Sequence, residues 1–396
     1  MNWISAVSDI SDYNKAISEI SLDIKQKLNG KKADLVILFV SSHHSINYEK
    51  IASLFSEKIN TKCIIGCSAA GVIGNGHEVE RRAGIAACAA YLPNVEITPF
   101  HIQQNELPNE DANPDEWFNI TGLRPDNCKA MMILPDPFTI RSDNLIAGLD
   151  YAFPETTKIG ALASGGGQPG SNALFINNKS YTYGAVGVGF SGDLSVETIV
   201  AQGCRPIGEP MIVTDADINV INKIGDKTPL EILGEIFEKS SIREKRLIRR
   251  SLQIGIIMDR FSSVNDEEFL IRNILGADEE DGSIAIGEMI NEGQIIQFYI
   301  RDAKTADEDL KIILEKYADK FEDNKLESAL LFSCLGRGQY LYGAPNHDTN
   351  LFANIVGDIP ITGFFSNGEI GSIGDQTFLH GYTSSFALFK SEKQKT

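Results

Sequence analysis

Three stretches of the sequence share one glycine spacing: IIGCSAAGVIG at residues 64–74, IGALASGG at residues 159–166 and ITGFFSNGEIG at residues 361–371. Each contains Gly-x4-Gly with a serine between the two glycines, and the first and third continue identically through Ile-Gly. An apolar run precedes each stretch, namely ADLVILFV, KAMMIL and SALLF. Recurrence at this spacing indicates one supersecondary unit that is repeated three times with variation.

Each repeated unit shows the pattern of a strand, a helix and a second strand. The apolar runs do not alternate with polar residues, which is typical of strands buried on both faces. The segments that follow have helical period, as in Ile51, Leu54, Phe55 and Ile59. A parallel strand pair with a right-handed crossover is therefore predicted in each unit. A further strand pattern follows (AGIAACAAYL, SYTYGAVGVGF and FLHGYTSSFALF), and we expect it to return antiparallel.

These patterns predict an α/β protein of two domains, with mixed, partly parallel sheets built from repeated βαβ-plus-strand units. A chain of 396 residues is long enough for two full cores. We place the boundary between residues 222 and 223, giving domains 1–222 and 223–396. It lies after the glycine- and proline-marked passage AQGCRPIGEPMIV and before the capping-box helix start at Thr228.

The composition excludes several classes of partner. A net charge of −18 and a pI near 4.8 disfavour nucleic acid and anionic membrane surfaces. No apolar run reaches the length of a membrane span, and the first residues lack the features of an export signal. The six cysteines lie mostly in apolar strand patterns, which favours reduced thiols in a cytoplasmic protein.

The strand and glycine motifs together resemble the FIST sensory family. The resemblance runs over about residues 30 to 390 and is carried by LVILFVSS, IIGCSAAGVIG, AQGCRPIGEP, LLFSCLGRG, PITGFFSNGEIG and FLHGYTSSFALF. It implies an N-terminal and a C-terminal FIST domain that sense a small ligand inside the cell, with amino acids as the proposed ligands. It also implies an alternative, since some stand-alone members are haem-binding nitric oxide sensors that act on a separate histidine kinase.

The sequence shows no kinase signature, coiled-coil signaller or P-loop. We therefore expect a non-enzymatic ligand sensor that signals through a separate partner, such as a histidine kinase or another output protein.

The predicted ligand site lies in the loops beyond the carboxyl ends of the parallel strands, where α/β sheets bind ligands. Glycines there let backbone N–H groups approach a ligand, and serines add short hydrogen-bonding arms. The candidate ligand-binding residues are Gly66, Ser68, Gly71, Arg337, Phe364, Phe365, Ser366, Asn367, Gly368 and Glu369. Tight turns and close packing alone explain the paired glycines equally well.

Arg337 and Glu369 follow the two strands of the third unit. An amino acid needs a cation for its carboxylate and an anion or carbonyls for its ammonium group, and this pair supplies both. The alternative is that Arg337 forms an ion pair with Glu369 or another structural acid and braces the loop.

Four histidines, His43, His44, His347 and His380, lie in or beside the strand-end loops and are the candidates for a haem ligand. For each, a surface or hydrogen-bonded histidine is the alternative. Cys67 lies in the first glycine stretch, so a hydrolase or transferase using Cys67 or a histidine is the enzymatic alternative. A packed thiol is favoured for Cys67, and we expect no cofactor, with haem as the alternative. No CxxC pair exists, which makes a structural zinc site improbable.

Overall fold

The structure is a computed structural model that describes residues 1–109, 111–257, 269–319, 326–374 and 376–392. Its chain divides into two compact units. Unit 1 comprises Met1–Ala201, Lys311–Leu379 and Thr383–Thr396, and unit 2 comprises Gln202–Leu310 with His380–Tyr382. The sequence-predicted boundary between residues 222 and 223 lies inside unit 2, and it stays a prediction.

The first repeated module contains six strands and two helices. Its elements are β1 (Asn2–Ser8), α1 (Tyr13–Leu28), β2 (Ala33–Ser41), α2 (Tyr48–Lys58), β3 (Thr61–Ala69), β4 (Gly71–Gly74), β5 (His77–Glu80) and β6 (Ile85–Tyr91). A short 3-10 helix, Ser42–Asn47, joins β2 to α2. The Asp12 side chain caps α1, which buries Ile17, Ile20 and Ile24 at helical spacing.

The second module repeats the same order. Its elements are β7 (Val95–Ile102), α3 (Pro114–Thr121), β8 (Cys128–Pro135), α4 (Ser142–Ala152), β9 (Thr157–Ala161), β10 (Leu174–Ile176), β11 (Lys179–Tyr181) and β12 (Ala185–Gly192). The third module starts with β13 (Leu194–Ala201), and the chain then leaves unit 1.

Unit 2 holds a closed six-stranded barrel with two helices. Its elements are β14 (Cys204–Asp217), β15 (Val220–Ile224), α5 (Pro229–Lys239), α6 (Ile242–Ser251), β16 (Leu252–Ile257), β17 (Phe269–Ala277), β18 (Ile284–Ile286) and β19 (Ile295–Arg301). The barrel order is β14-β15-β18-β17-β16-β19. The predicted capping box at Thr228 and Glu231 starts α5.

The third module is completed by the last part of the chain. Its elements are α7 (Ala303–Ala318), β20 (Leu326–Cys334), α8 (Gly338–Tyr342), α9 (His347–Val356), β21 (Ile361–Ser366), β22 (Glu369–Ile373), β23 (Gln376–His380) and β24 (Ser384–Ser391). Gly357 ends α9. Among the described helices, none is long and apolar enough to cross a membrane.

The three modules have the same strand directions. The pairs β2/β3, β8/β9 and β20/β21 are parallel. The strands β6, β12 and β24 return antiparallel beside β2, β8 and β20. The predicted mixed α/β fold with repeated βαβ-plus-strand units is therefore confirmed.

Each module also gives a hairpin to a neighbouring sheet. The sheets have the orders β1-β6-β2-β3-β10-β11, β23-β22-β9-β8-β12-β7 and β13-β24-β20-β21-β4-β5. The hairpin β4–β5 of the first module thus extends the sheet of the third module. The hairpin β10–β11 of the second module extends the sheet of the first, and the hairpin β22–β23 of the third extends the sheet of the second. This cyclic exchange links the three modules in unit 1, and the sequence patterns do not predict it.

The first glycine of each repeated stretch lies where two parallel strands touch. A Cβ atom added at Gly66 would stand 1.7 Å from the carbonyl oxygen of Leu38 on the neighbouring strand. The corresponding distances are 1.9 Å for Gly160 and 1.7 Å for Gly363. No side chain fits at such distances, so backbone packing alone requires glycine at these positions.

A shared aromatic core fills the space between the sheets of unit 1. Phe39, Phe332 and Phe364 are all fully buried. The Phe364 ring lies 4.7 Å from that of Phe39 and 5.7 Å from that of Phe332, measured between centroids. Contacts between modules 1 and 3 therefore contribute to a single hydrophobic core.

Substitution of Gly363 by alanine tests the strand contact. The new methyl group would press on the Leu331 carbonyl and force the strands apart, so we expect the free energy of unfolding to fall by about 3 kcal/mol. The matched control is Gly234→Ala, an exposed position in α5 where an added Cβ meets no atom within 4 Å. This control should stabilise the protein by about 0.5–1 kcal/mol. Urea unfolding measures both, and equal stability of the two variants would contradict the packing role.

Candidate functional site

Three serines at the carboxyl ends of β3, β9 and β21 form hydrogen bonds in the interior of unit 1. The Ser68 hydroxyl donates to the carbonyl of Ser164 at 3.1 Å, and the Ser164 hydroxyl donates to the carbonyl of Phe365 at 2.6 Å. Ser366 donates to Glu369 Oε1 at 2.6 Å. All three serines are buried. The Ser68 and Ser164 bonds thus join successive modules at the carboxyl ends of the parallel strands, whereas the Ser366 bond stays within the third module.

Most of the sequence-predicted binding residues lie inside this junction. Gly66, Gly71, Phe364, Phe365 and Gly368 are buried, and Asn367 between them is exposed. A Cβ atom at Gly71 would stand 3.0 Å from the Phe365 ring, so this glycine serves the contact between the first and third modules.

A cleft of about 940 Å³ opens at the same end of the strands. One wall is the 3-10 helix after β2 with the start of α2, and the other is the glycine-rich loop after β9. The lining residues are Ser42, Ser45, Ile46, Tyr48, Glu49, Lys50, Gly165, Gly166, Gly167, Gln168, Gly170, Ser171, Asn172, Ala173, Ser180 and Thr182. Most of these residues are polar or glycine, which suits a small hydrophilic ligand.

A hydrogen-bonded network supports the floor of the cleft. The backbone N–H of Ala173 donates to the Ser68 hydroxyl at 3.0 Å, so Ser68 reaches the floor from below. Asn172 Oδ1 accepts from the backbone N–H of Gly166 at 2.8 Å, and its Nδ2 donates to Asp136 at 2.9 Å. Sequence reasoning missed Asn172 and Asp136, although Asp136 lies in the strand-end loop after β8.

The Tyr48 hydroxyl is a buried polar group beside the cleft. Tyr48 lines the cleft and is 7% exposed, and its buried hydroxyl makes no hydrogen bond of normal length and angle, although Ser68 lies close enough to lower its pKa slightly. Burial raises the pKa of this hydroxyl to about 12, so it is neutral and able to donate as well as accept.

The four haem-ligand candidates have different environments. His43 is exposed, while His44 is 2% exposed with an Nε2 atom that has no hydrogen-bond partner. Burial, aided by His43, lowers the pKa of His44, which keeps it neutral. His347 stacks on Tyr342, with 3.5 Å between ring centroids, and its Nδ1 lies 3.3 Å from Asp348. His380 is buried.

The residues around His44 do not fit haem. A porphyrin needs apolar walls, whereas the adjacent cleft has only Ile46, Tyr48 and Ala173 as apolar lining residues. Among the described residues, no group of three or more His, Cys, Asp or Glu side chains is placed to hold a metal ion.

Arg337 is fully buried and forms an ion pair with Asp348 of α9. Its Nε donates to Asp348 Oδ2 at 2.9 Å, and its Nη2 donates to Asp348 Oδ1 at 3.2 Å and to the Tyr342 hydroxyl at 2.7 Å. None of the hydrogen bonds that Arg337 makes goes to Glu369. Sequence reasoning missed Asp348, which lies in the first turn of a helix and is distant from both strand ends in the sequence.

Glu369 bonds within its own module. It accepts from the hydroxyl groups of Ser366 at 2.6 Å and Thr383 at 2.8 Å. Arg337 follows β20 of the third sheet, whereas Glu369 begins β22 in the second sheet. The pairing of Arg337 with Asp348 is in line with the bracing alternative for Arg337.

The exchanged hairpin β4–β5 brings two more acids to Asp348. Glu78 accepts from the backbone N–H of Thr349 at 3.0 Å, and Glu80 accepts from that of Gln339 at 2.9 Å. Burial would raise the pKa of Asp348, but the Arg337 guanidinium together with hydrogen bonds from His347, Arg337 and Ser384 outweighs burial and lowers that pKa well below its usual range. Burial and the Asp348 carboxylate raise the pKa of Glu78 to about 7.

The cysteines are packed thiols. All six lie among the described residues, and none is in a disulfide. Cys67 is fully buried in β3, and burial raises its pKa well above the ordinary value. A thiolate nucleophile needs the opposite shift.

Comparison with known proteins identifies relatives over nearly the whole chain. The family model of the FIST N domain matches residues 34–227, and that of the FIST C domain matches residues 229–372. An uncharacterised protein of Mycobacterium tuberculosis is 37% identical over 386 residues, covering 97% of this chain and 98% of that protein. An uncharacterised protein of Mycobacterium bovis is 34% identical over 386 residues, covering 97% of each.

One solved structure aligns with the chain at a low score. It is cyanuric acid hydrolase, which covers 99% of this chain and 100% of its own with 8% identity and a TM-score of 0.31. A likeness this weak carries no argument about the chemistry of the site.

Glu78, which lies beside Asp348, should make the stability of the protein depend on pH. Because the pKa of Glu78 is about 7 in the folded state and 4.5 ordinarily, the folded protein retains a proton that the unfolded chain releases. The free energy of unfolding should therefore fall as pH rises from about 4.5 to 7, by on the order of 2 kcal/mol. Glu78→Gln keeps an acceptor for Thr349 but cannot ionise, so its stability should lack this decline.

Urea unfolding of wild type and variant at pH 5, 6, 7 and 8 checks this expectation. Glu57→Gln, an exposed position on α2, is the control and should follow the wild type. Parallel pH profiles of wild type and Glu78→Gln would show that Glu78 titrates normally.

Proposed function

This chain belongs to the FIST family, and we propose that it senses an amino acid or a related small zwitterion and passes the signal to a separate protein. FIST domains are sensory domains that bind small ligands in signal transduction. The ligand site that we propose is the open cleft between the 3-10 helix after β2 and the glycine-rich loop after β9.

The chemistry of the cleft suits both ends of an amino acid. Glu49 and Lys50 are exposed and line the cleft, so it offers one charge of each sign. The backbone of Gly165–167 and the hydroxyl groups of Ser42 and Ser171 supply further hydrogen-bonding groups. A zwitterion placed here would meet opposite charges without requiring either to be buried.

The unpaired Tyr48 hydroxyl is the observation that carries the proposal. An unsatisfied buried polar group costs about 1–3 kcal/mol of stability. A ligand that hydrogen-bonds to this hydroxyl removes that cost, and the removal contributes favourably to the free energy of binding. The Ser68, Asn172 and Asp136 network holds the floor of the cleft in position for this contact.

We propose that the protein is not an enzyme. The cleft has no cysteine or histidine among its lining residues, and the Cys67 thiol is buried with a raised pKa. Both observations count against the hydrolase or transferase alternative based on Cys67.

A separate output protein, such as a histidine kinase, completes the proposal. Ile46 is 94% exposed on the rim of the cleft. A partner that covers this apolar side chain would also contact the 3-10 helix that lines the cleft. The partner would thereby read occupancy of the cleft directly.

Removal of the Tyr48 hydroxyl separates binding from stability. In Tyr48→Phe we expect the free energy of unfolding of the ligand-free protein to rise by about 1 kcal/mol, because a buried unpaired group is removed. Affinity for the amino acid ligand should fall about tenfold, equivalent to about 1.4 kcal/mol. The ligand is identified by a thermal-shift screen of the twenty L-amino acids, and titration calorimetry then measures its affinity.

Tyr340→Phe, at an exposed tyrosine of α8, is the matched control and should change neither quantity. The proposal fails if no amino acid stabilises the wild type, or if Tyr48→Phe binds the ligand with unchanged affinity.

The haem alternative is tested separately. The unpaired Nε2 of His44 favours it, and the polar lining of the cleft opposes it. We expect haemin titration to give no Soret band that depends on His44. Wild type, His44→Ala and the exposed control His77→Ala should therefore give the same absorption spectra. A Soret band that is present in wild type and His77→Ala but lost in His44→Ala would establish haem binding instead.

A further inference from the structure

We propose a second binding site, independent of the cleft, at Arg301 in unit 2. Its ligand is a small organic acid with an apolar body, whose carboxylate group binds to Arg301. Arg301 is the last residue of β19 and is 9% exposed. Its Nε and Nη2 atoms are buried and have no hydrogen-bond partner. Among the described residues, no carboxylate forms an ion pair with it.

A buried guanidinium without a partner is unusual, because arginine stays charged and its donors normally find acceptors. Nε and Nη2 lie on the same edge of the guanidinium and bind both oxygens of a carboxylate together. The same chain shows this use of the edge, since Arg337 donates from Nε and Nη2 to the two oxygens of Asp348. Arg301 presents the same edge with no acceptor.

The neighbouring acid does not neutralise Arg301. Asp302 lies next in the chain, but its carboxylate accepts from Arg243 at 2.8 Å and lies 3.8 Å from Arg205. Asp302 is therefore already bound to two other cations. The positive charge of Arg301 remains available to a ligand.

Aromatic and aliphatic side chains surround the Arg301 position. The Tyr382 ring centroid lies 4.9 Å from the Arg301 guanidinium carbon. Tyr382 and Cys204 pack against a buried apolar cluster that includes Phe269 and Tyr299. Cys204 is the residue opposite Arg301 in the β14/β19 pair, so the cluster adjoins the guanidinium. An apolar body held beside a carboxylate fork is the chemistry of a monocarboxylic acid site.

Tyr382 is held in place for this contact. It has a φ of +67°, in the left-handed region that residues other than glycine seldom adopt. Its hydroxyl donates to Asn273 Oδ1 on β17. The fixed ring covers one face of Arg301, and the unpaired Nε and Nη2 atoms lie just below the surface, so an acid reaches them when neighbouring side chains move aside.

Binding of simple acids to the full chain tests this site. The probes are acetate, benzoate, phenylacetate, benzamide and inorganic phosphate, titrated by calorimetry and by ligand-observed NMR. We expect benzoate or phenylacetate to bind, and neutral benzamide to bind at least tenfold more weakly than benzoate. Arg301→Gln should weaken carboxylate binding at least tenfold. The control Arg250→Gln, at an exposed arginine of α6, should leave it unchanged.

Stability separates a binding role from a structural one. Without ligand, Arg301→Gln should melt at the same or a higher temperature than wild type, since a buried unpaired charge is removed. The proposal is overturned if no carboxylate binds in an Arg301-dependent way, if phosphate binds there more tightly than the carboxylates, or if Arg301→Gln lowers the melting temperature without changing binding. Tyr48→Phe should still bind benzoate, so failure at either site is distinguishable from failure at the other.

Discussion

Direct contact between two parallel backbones in each module is the constraint on which unit 1 depends. Gly66, Gly160 and Gly363 allow that contact, because even a methyl group there would overlap a carbonyl oxygen of the neighbouring strand. After each of these strands the chain passes into the sheet of another module and forms its hairpin there, directly in the first and third modules and after a glycine-rich loop in the second. The repeated glycine stretch therefore marks both the tightest strand contact and the point of exchange, and the shared core follows from that exchange.

Exchange of hairpins also decides the electrostatics of the strand ends. It brings Glu78 and Glu80 of the first module to Arg337 and Asp348 of the third. In the buried Arg337–Asp348 pair, the Nε and Nη2 atoms of Arg337 are hydrogen-bonded to the carboxylate, and the Nη1 atom makes no hydrogen bond. Arg301 gives a useful contrast, since the same side chain is buried there with its donor edge unpaired. A buried arginine thus has a structural role at Arg337 and, as we infer, a ligand-binding role at Arg301.

Much of the fold and part of the candidate site could be predicted from the sequence. Apolar runs and helical spacing identified the three parallel pairs, and strand-end reasoning led to Ser68, which reaches the floor of the cleft. Asn172, Tyr48 and Arg301 were not found, because each is a common residue type without a local pattern. What distinguishes them is contact with segments distant in the chain, or the lack of a partner for a buried atom.

The sequence by itself determined the module: its strands, its helix and the glycine at the strand contact, all of which depend on local periodicity and on the size of one side chain. Only the tertiary structure decided which sheet receives each hairpin, that Arg337 pairs with Asp348, and which polar atoms stay unpaired. The physical reason is that hydrogen-bond partners and burial are properties of residues brought together across the chain. Local patterns specify what a segment forms, whereas the packing of distant segments specifies which charges and hydroxyl groups remain available to a ligand.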